Sequence, residues 1–173
     1  MTEELFEYNM KRMTEGDQGG LKEIYEAYIS FVYAIIYNVL QSKENAEDVT
    51  SDFFLKLWNI SDKYKPGSGH RTWLATIARN MAIDYIRKAR REVPTEEFLE
   101  NANSDLIEDE VIGDMNLQRA LEMLNENERQ VITMKIVQDM TFQEISKALD
   151  VPMGTVTWRY QNALKKLRRC GYE

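Results

Sequence analysis

The sequence predicts an all-α protein made of two small helical domains that are joined by an acidic linker. Apolar residues recur at helical spacing along almost the whole chain of 173 residues. Helix breakers are few, with eight Gly and three Pro, and the acidic stretch 92–114 divides the helical parts. We therefore expect a first domain over 1–91, a linker over 92–114 and a helix-turn-helix domain over 115–173.

The composition excludes several classes of function. Cys170 is the only cysteine and His70 the only histidine, so Cys/His zinc sites, disulfide frameworks and His-dependent triads lack the residues they need. Carboxylates are plentiful, but none lies beside a nucleophile, a Gly-rich phosphate loop or a metal-ligand spacing. We expect no enzyme activity, no metal and no cofactor. The charged N-terminus and the lack of an apolar run of ~18 residues predict a cytoplasmic protein without membrane insertion.

The charge is distributed unevenly along the chain. The formal net charge of −7, taken as a total, argues against a nucleic-acid partner. However, residues 71–91 carry +5 and residues 159–173 carry +4, whereas residues 92–114 hold nine acids and no base. Two compact basic segments are thus separated by an acidic one, and the distribution permits the DNA binding that the total disfavours.

Helices 19–40 and 44–60 are predicted from their apolar spacing. Tyr25 falls with the other apolar residues on the core face of the first. A second face of helix 44–60 carries Asp48, Asp52, Leu55 and Asn59, with Phe54 and Trp58 beside it, and so mixes carboxylates with large apolar groups. Exposed apolar groups with charges at the rim suit a protein–protein interface. Alternatively, Phe54 and Trp58 simply fill a broad core.

Helix 70–91 is predicted to carry polar and basic groups on one exposed face. The residues that share this face are Asn80, Asp84, Arg87, Lys88 and Arg91. Basic groups at this spacing can follow a phosphate backbone, and Asn and Asp can bond to base edges. Near the helix start, beside Arg71 and Thr72, Trp73 can stack on an unpaired base. Taken alone, the basic end is explained equally well as a favourable partner of the helix dipole.

The second domain is predicted to contain four short helices over 116–169. Asn125 with Glu128, and Thr141 with Glu144, fit capping boxes. A tight turn at 150–152 then predicts a helix-turn-helix. The outer face of its second helix holds Thr155, Thr157, Trp158, Arg159, Asn162, Lys165, Lys166 and Arg169. We expect its first half to meet base edges and its basic end to meet phosphates, because the five bases after residue 158 favour DNA over an ordinary bundle.

Motifs in both domains, in their order along the chain, resemble the extracytoplasmic-function (ECF) sigma factors of bacteria. They are LKEIYEAYISFVYAIIYNVL, ENAEDVTSDFFLKLW and TWLATIARNMAIDYIRKARR in the first domain, and ALEMLNENERQVITMKI, TFQEISKAL and GTV in the second. The resemblance extends over about residues 8–169. It implies a dissociable RNA polymerase subunit that selects promoters, with sigma region 2 followed by region 4.

The resemblance also implies a role for each surface. The mixed face of helix 44–60 is expected to bind core RNA polymerase. Helix 70–91, together with Arg71, Thr72 and Trp73, is expected to contact the −10 element of promoter DNA. The outer face of the last helix is expected to contact the −35 element. The linker resembles the segment that threads through the polymerase toward the RNA exit path, and an anti-sigma factor is a common partner in this family.

Four positions depart from the common family pattern. Ser51 stands where the family usually has Gln, Thr157 and Trp158 stand where Lys and Ser are common, and Asn162 replaces a frequent Arg. The departures in the last helix concern the −35 sequence preference rather than the architecture.

Two other functions fit part of the sequence. One is a polymerase-independent helix-turn-helix repressor or activator with the first domain as a sensor, for which tight duplex binding by the free protein would be the sign. The other is a helical adaptor that binds only proteins, for which the sign would be the lack of salt-dependent DNA binding.

Overall fold

The computed structural model describes residues 1–92 and 121–169. The chain divides into two compact units, Met1–Asn103 and Ser104–Glu173. Throughout the described residues the regular structure is helical, as the sequence predicts. The predicted linker lies outside the described residues except for Glu92, the last residue of a helix.

In its described residues, 1–92, the first unit contains four α-helices. They are α1 (Glu3–Thr14), α2 (Gln18–Leu40), α3 (Lys43–Asn59) and α4 (His70–Glu92), with a short 3-10 turn at Ser61–Lys63. Thr2, Asp17 and Ser42 cap the first three, each side chain accepting a bond from a backbone N–H of the first turn. The predicted helices 19–40, 44–60 and 70–91 are confirmed to within one residue at each end.

Helix α1 was not predicted, because charged residues surround its few apolar ones. Its core face consists of Phe6, Met10 and Met13, at i, i+4 and i+7, and all three side chains are buried. Helix α2 approaches this helix closely at Gly20. A Cβ atom added there would lie 2.6 Å from the carbonyl oxygen of Asn9, so the contact requires glycine.

An aromatic cluster centred on Phe6 joins α1 to the loop before α4. The Phe6 ring stacks on His70 at 4.8 Å and meets Tyr64 edge-on at 5.1 Å, measured between centroids. Tyr28 also reaches His70, with its hydroxyl oxygen 2.5 Å from Nε2. These contacts bury the start of α4 beneath α1 and α2.

Two carboxylates of α1 hold the same loop through hydrogen bonds. Oε1 of Glu3 accepts bonds from the Tyr64 hydroxyl at 3.2 Å and the Gly69 amide at 3.0 Å. Oε1 of Glu7 accepts one from the Gly67 amide at 2.8 Å. Loop 64–70 is therefore fixed by its backbone as well as by apolar packing.

The second unit contains a helix-turn-helix. Its described elements are α5 (Glu126–Ile132), a π-helical turn (Thr133–Val137), α6 (Phe142–Leu149) and α7 (Met153–Arg169). The two predicted capping boxes, at α5 and α6, are confirmed. The π-helical turn was not predicted; it follows α5 directly, where the sequence has no breaker.

The turn between α6 and α7 depends on Asp150 and Pro152. Asp150 ends α6 in a left-handed conformation, with φ of 53°. The Pro152 carbonyl then accepts bonds from the Thr155 and Val156 amides. Farther along α7, Ala163 and Leu167 pack in a buried cluster with Ile132 of α5 and with Leu121 and Leu124, which precede α5. This packing fixes the face of α7 that remains outside.

Candidate functional site

The second face of α3 is an exposed mixture of acids and one large aliphatic group. Asp48 and Asp52 are exposed, and Leu55 leaves 65% of its surface exposed. Trp58 is half-buried one turn farther on. These four side chains form the face that the spacing predicts, which we call the α3 face.

Phe54 does not belong to the α3 face, and this part of the prediction is wrong. Only 4% of its surface is exposed, since its ring packs on Phe53 at 5.1 Å and on Tyr25 at 4.8 Å. Tyr25 in turn was expected in the core but is 42% exposed. Phe54 is thus buried and Tyr25 exposed, the reverse of what the spacing predicts, because Tyr25 lies at the edge of the core and covers Phe54.

The polar face of α4 is solvent-exposed along its length. Each of its five predicted residues is exposed: Asn80, Asp84, Arg87, Lys88 and Arg91. Asp84 and Arg87 approach each other, with Oδ1 3.5 Å from Nη1, but both side chains remain about 70% exposed. A pair this exposed contributes little stability, so both groups stay available to a ligand.

The three residues at the start of α4 differ in accessibility. Trp73 is half-buried with its ring edge-on to Tyr64 at 5.1 Å, and Arg71 lies over the Phe31 ring at 5.4 Å. Thr72 is buried, with 9% of its surface exposed. Helix α4 turns the Thr72 side chain inward in this structure, and its contact with the −10 element stays a prediction.

The outer face of α7 changes character along the helix. Trp158 is 62% exposed, and Thr155, Thr157, Arg159 and Asn162 around it are half-buried. The Thr157 hydroxyl donates to the Met153 carbonyl at 3.0 Å. Farther along, Lys165 and Arg169 are exposed. The first half thus presents an aromatic ring, neutral polar groups and the single charge of Arg159, whereas the second half presents mainly positive charge.

Lys166 has a role inside the unit that the sequence did not reveal. Its Nζ atom lies 2.7 Å from Oε2 of Glu128, whose side chain is only 5% exposed. The ion pair engages its ammonium group while 44% of the Lys166 side chain stays exposed, and its contact with the −35 element stays a prediction. The sequence predicts Glu128 as part of a capping box but gives no sign that it also pairs with Lys166.

Comparison with known protein families decides the identity. The family model for sigma-70 region 2 matches residues 24–92, which include the α3 face and all of α4. The family model for sigma-70 region 4 matches residues 114–167, which include α6, the turn after it and most of α7. The chain belongs to the sigma-70 family. It is a sigma factor, a protein that directs RNA polymerase to promoters.

Individual relatives confirm the resemblance to the ECF group. The ECF RNA polymerase sigma factor SigW of Bacillus subtilis is 28% identical, over 96% of this chain and 97% of its own. The ECF RNA polymerase sigma factor SigK of Mycobacterium bovis is 27% identical, over 93% of this chain and 90% of its own.

Two solved structures share the fold. CnrH, in complex with the cytosolic domain of CnrY, has a TM-score of 0.68 at 20% identity and covers 95% of this chain and 96% of its own. The sigma factor RpoE of Bartonella quintana, in complex with the anti-sigma factor NepR, has a TM-score of 0.68 at 22% identity and covers 86% of this chain and 94% of its own.

Other types of site are not seen in the described parts of the chain. Residues 1–92 and 121–169 contain no group of three or more His, Cys, Asp or Glu side chains placed to hold a metal ion. Within the same ranges, no helix is long and apolar enough to cross a membrane.

Proposed function

We propose that this sigma factor uses three separate surfaces in initiation. The α3 face binds core RNA polymerase, the exposed face of α4 contacts the −10 element, and the outer face of α7 contacts the −35 element. The observation that carries the proposal is that the matched region 2 presents two exposed helix faces, on α3 and α4, and the matched region 4 presents one, on α7. On α4 this face includes Arg87, Lys88 and Arg91, and on α7 it includes Lys165 and Arg169.

The chemistry of the α3 face supports a protein partner. Leu55 offers a large apolar group to a partner, and Asp48 and Asp52 lie on the same side of the helix. An apolar centre with charges at its rim is typical of interfaces that gain energy at the centre and orientation from the rim. The acids favour a partner surface with positive charge.

The chemistry of α4 supports a DNA partner whose strands separate. Asn80 can bond to base edges, while Arg87 and Lys88 can contact phosphates of either duplex or single strand. Trp73 offers a partly exposed ring near the start of the same helix. Stacking of an unpaired base on such a ring offsets part of the cost of a few kcal/mol for unstacking.

Neither unit carries enough positive groups for tight promoter binding on its own. Each offers only a handful of phosphate contacts, and their number sets both the affinity and its salt dependence. When both units are held by one polymerase, the second DNA contact becomes intramolecular, which raises the overall affinity without any new contact. Promoter recognition by this chain therefore requires the assembled holoenzyme.

Three further assignments complete the proposal. An anti-sigma factor is the regulatory partner, by analogy with the RpoE–NepR complex of a structural relative. The chain acts in the cytoplasm, where RNA polymerase works. It catalyses no reaction itself, since nucleotide addition belongs to the polymerase.

Transcription by a reconstituted holoenzyme tests the proposal. The purified chain is combined with core RNA polymerase, and start sites are mapped on DNA from genes whose expression depends on the chain. We expect initiation at a common −35 and −10 pair, and loss of initiation for the Asn80→Ala/Arg87→Ala double variant. A Tyr8→Ala variant, which changes a side chain that is 60% exposed on α1, serves as the matched control.

Two results would contradict the proposal. Tight, specific duplex binding by the free chain without polymerase affinity would indicate a polymerase-independent regulator. Polymerase binding without any salt-dependent DNA contact in the complex would indicate a protein adaptor.

A further inference from the structure

Trp158 places a large apolar ring at the centre of a surface that is otherwise polar or basic. It leaves 62% of its surface exposed in the first half of α7. An exposed tryptophan does not stabilise the unit in proportion to its size, because most of its apolar area stays in water. The side chain is therefore available to an external partner.

The neighbourhood of Trp158 leaves room for that partner. The residue one turn earlier on the same side of α7 is Gly154, and a Cβ atom added there would meet nothing within 4 Å. Side chains in helices lean toward the N-terminus, so the indole lies toward the first turn of α7. That end of a recognition helix is the part that enters the major groove.

The charge of α7 identifies the partner as nucleic acid. Helix α7 contains no acidic residue, and its bases are Arg159, Lys165, Lys166, Arg168 and Arg169. Among these bases, only Lys166 forms an ion pair with another of the described residues. An apolar ring followed on one helix by unbalanced positive charge is complementary to a groove bounded by phosphates.

We propose that Trp158 reads thymine in the −35 element by packing against the C5-methyl group in the major groove. This rests on the proposed function of α7 and adds its base preference. The thymine methyl is the apolar feature that distinguishes a base pair in the major groove. Guanine and adenine are instead read by bidentate Arg, Asn or Gln, and indole has only a single N–H donor.

The test compares thymine with deoxyuracil, which pairs identically and lacks only the methyl group. The reconstituted holoenzyme first selects its −35 sequence from a randomised promoter pool. Each thymine of the selected element is then replaced singly by deoxyuracil. We expect about a fourfold loss of affinity for each methyl that Trp158 covers, the equivalent of one buried methyl group.

Variants assign that loss to Trp158. Trp158→Ser, which introduces the residue common in the family, should bind thymine and deoxyuracil promoters equally well. Arg169→Ala should weaken both to the same extent and keep their ratio. Met123→Ser, at a side chain of the same unit that is 61% exposed, should change neither the affinity nor the ratio.

The outcomes separate this inference from the proposed function. Specific initiation that is indifferent to the methyl groups, or a selected −35 element without thymine, overturns the role of Trp158 alone. Absence of promoter-specific initiation overturns the proposed function and the inference with it. If Trp158→Ser weakens binding of the chain to core polymerase and leaves the thymine preference intact, Trp158 contacts protein and the inference is wrong.

Discussion

The ammonium group of Lys166 lies 2.7 Å from Oε2 of Glu128, and this ion pair joins the basic half of α7 to the first turn of α5. The same carboxylate oxygen accepts a bond from the Asn125 amide at 3.1 Å. One buried carboxylate thus closes the cap of α5 and engages a lysine of α7. Of two neighbouring lysines, Lys166 is therefore paired within the unit, whereas Lys165 is exposed.

We predict that Lys165 and Lys166 differ in the salt dependence of promoter binding. Lys165→Gln should reduce the slope of log affinity against log salt by about 1, because one phosphate contact is lost. Lys166→Gln should leave the slope unchanged, since its charge is already neutralised within the unit. Holoenzyme affinity for one −35 promoter, measured across a salt series, checks both variants. Equal losses of slope would contradict the assignment.

We predict that Glu128 stabilises the second unit. Glu128→Ala removes the reciprocal cap of α5 and the partner of Lys166, and we expect a loss of about 2 kcal/mol in the free energy of unfolding. Asn127→Ala, at an exposed residue of the same first turn, should cost under about 1 kcal/mol. Denaturant unfolding followed by circular dichroism measures the difference. Similar costs for the two variants would argue against the role of the ion pair.

We predict that adjacent residues of α3 separate binding from folding. Leu55→Ala should lower the affinity for core polymerase by about tenfold and leave the melting temperature unchanged, because the side chain is 65% exposed. Phe54→Ala should destabilise the first unit by about 3 kcal/mol, because the buried ring is replaced by a cavity. Titration of core polymerase and thermal unfolding of each variant give the two readouts. A Leu55→Ala variant with a lowered melting temperature and normal affinity for core polymerase would show that Leu55 serves folding rather than binding.

We predict that α1 is essential to the stability of the first unit. Phe6 is fully buried among aromatic rings, so Phe6→Ala should cost about 3–5 kcal/mol. Leu5→Ala, one residue away and 43% exposed, should change the free energy of unfolding by less than about 1 kcal/mol. Denaturant titration compares the variants. A small effect at Phe6 would mean that α1 is only loosely attached.

We predict that the first unit loses stability in alkali before its buried tyrosines ionise. Burial raises the pKa of Tyr28 from 10.0 to about 12, and burial followed by the Glu3 hydrogen bond raises the pKa of Tyr64 to about 12. In the unfolded chain the same tyrosine hydroxyls ionise near pH 10. The free energy of unfolding is therefore at its full value below pH 10 and falls progressively as the pH rises toward 12. Melting temperatures between pH 9 and 11.5 should fall less steeply for Tyr28→Phe/Tyr64→Phe. An identical fall would contradict the prediction.

Helical periodicity was sufficient to predict most of the fold. The core positions of α2 to α4 and the turn at Asp150 follow from local spacing, and both capping boxes follow from residue types three positions apart. Helix α1 could not be predicted in this way, because only Phe6, Met10 and Met13 mark its core face. Local spacing contains no information about the rings of α2 and the α4 loop that bury them.

The exposed helix faces of the candidate site could be predicted from the sequence, but the burial and pairing of some individual residues could not. The exposed face of α4 follows directly from its i, i+4 spacing, and all its members are outside. The exchange between Phe54 and Tyr25, and the pairing of Lys166 with Glu128, depend on contacts between separate helices. Such contacts are tertiary. A pattern within one helix therefore does not distinguish a buried ring from an exposed one, or a lysine in an ion pair from an unpaired one.

The contacts of α1 with loop 64–70 make α1 part of the folded region 2 unit. The region 2 family match begins at residue 24, beyond the whole of α1. A chain shortened to that point would keep every matched residue. It would nevertheless lose the ring of Phe6 beneath His70 and the carboxylates of Glu3 and Glu7 that hold the loop backbone. The family match therefore covers less than the packed unit, which in this structure includes α1 and its cap residue Thr2.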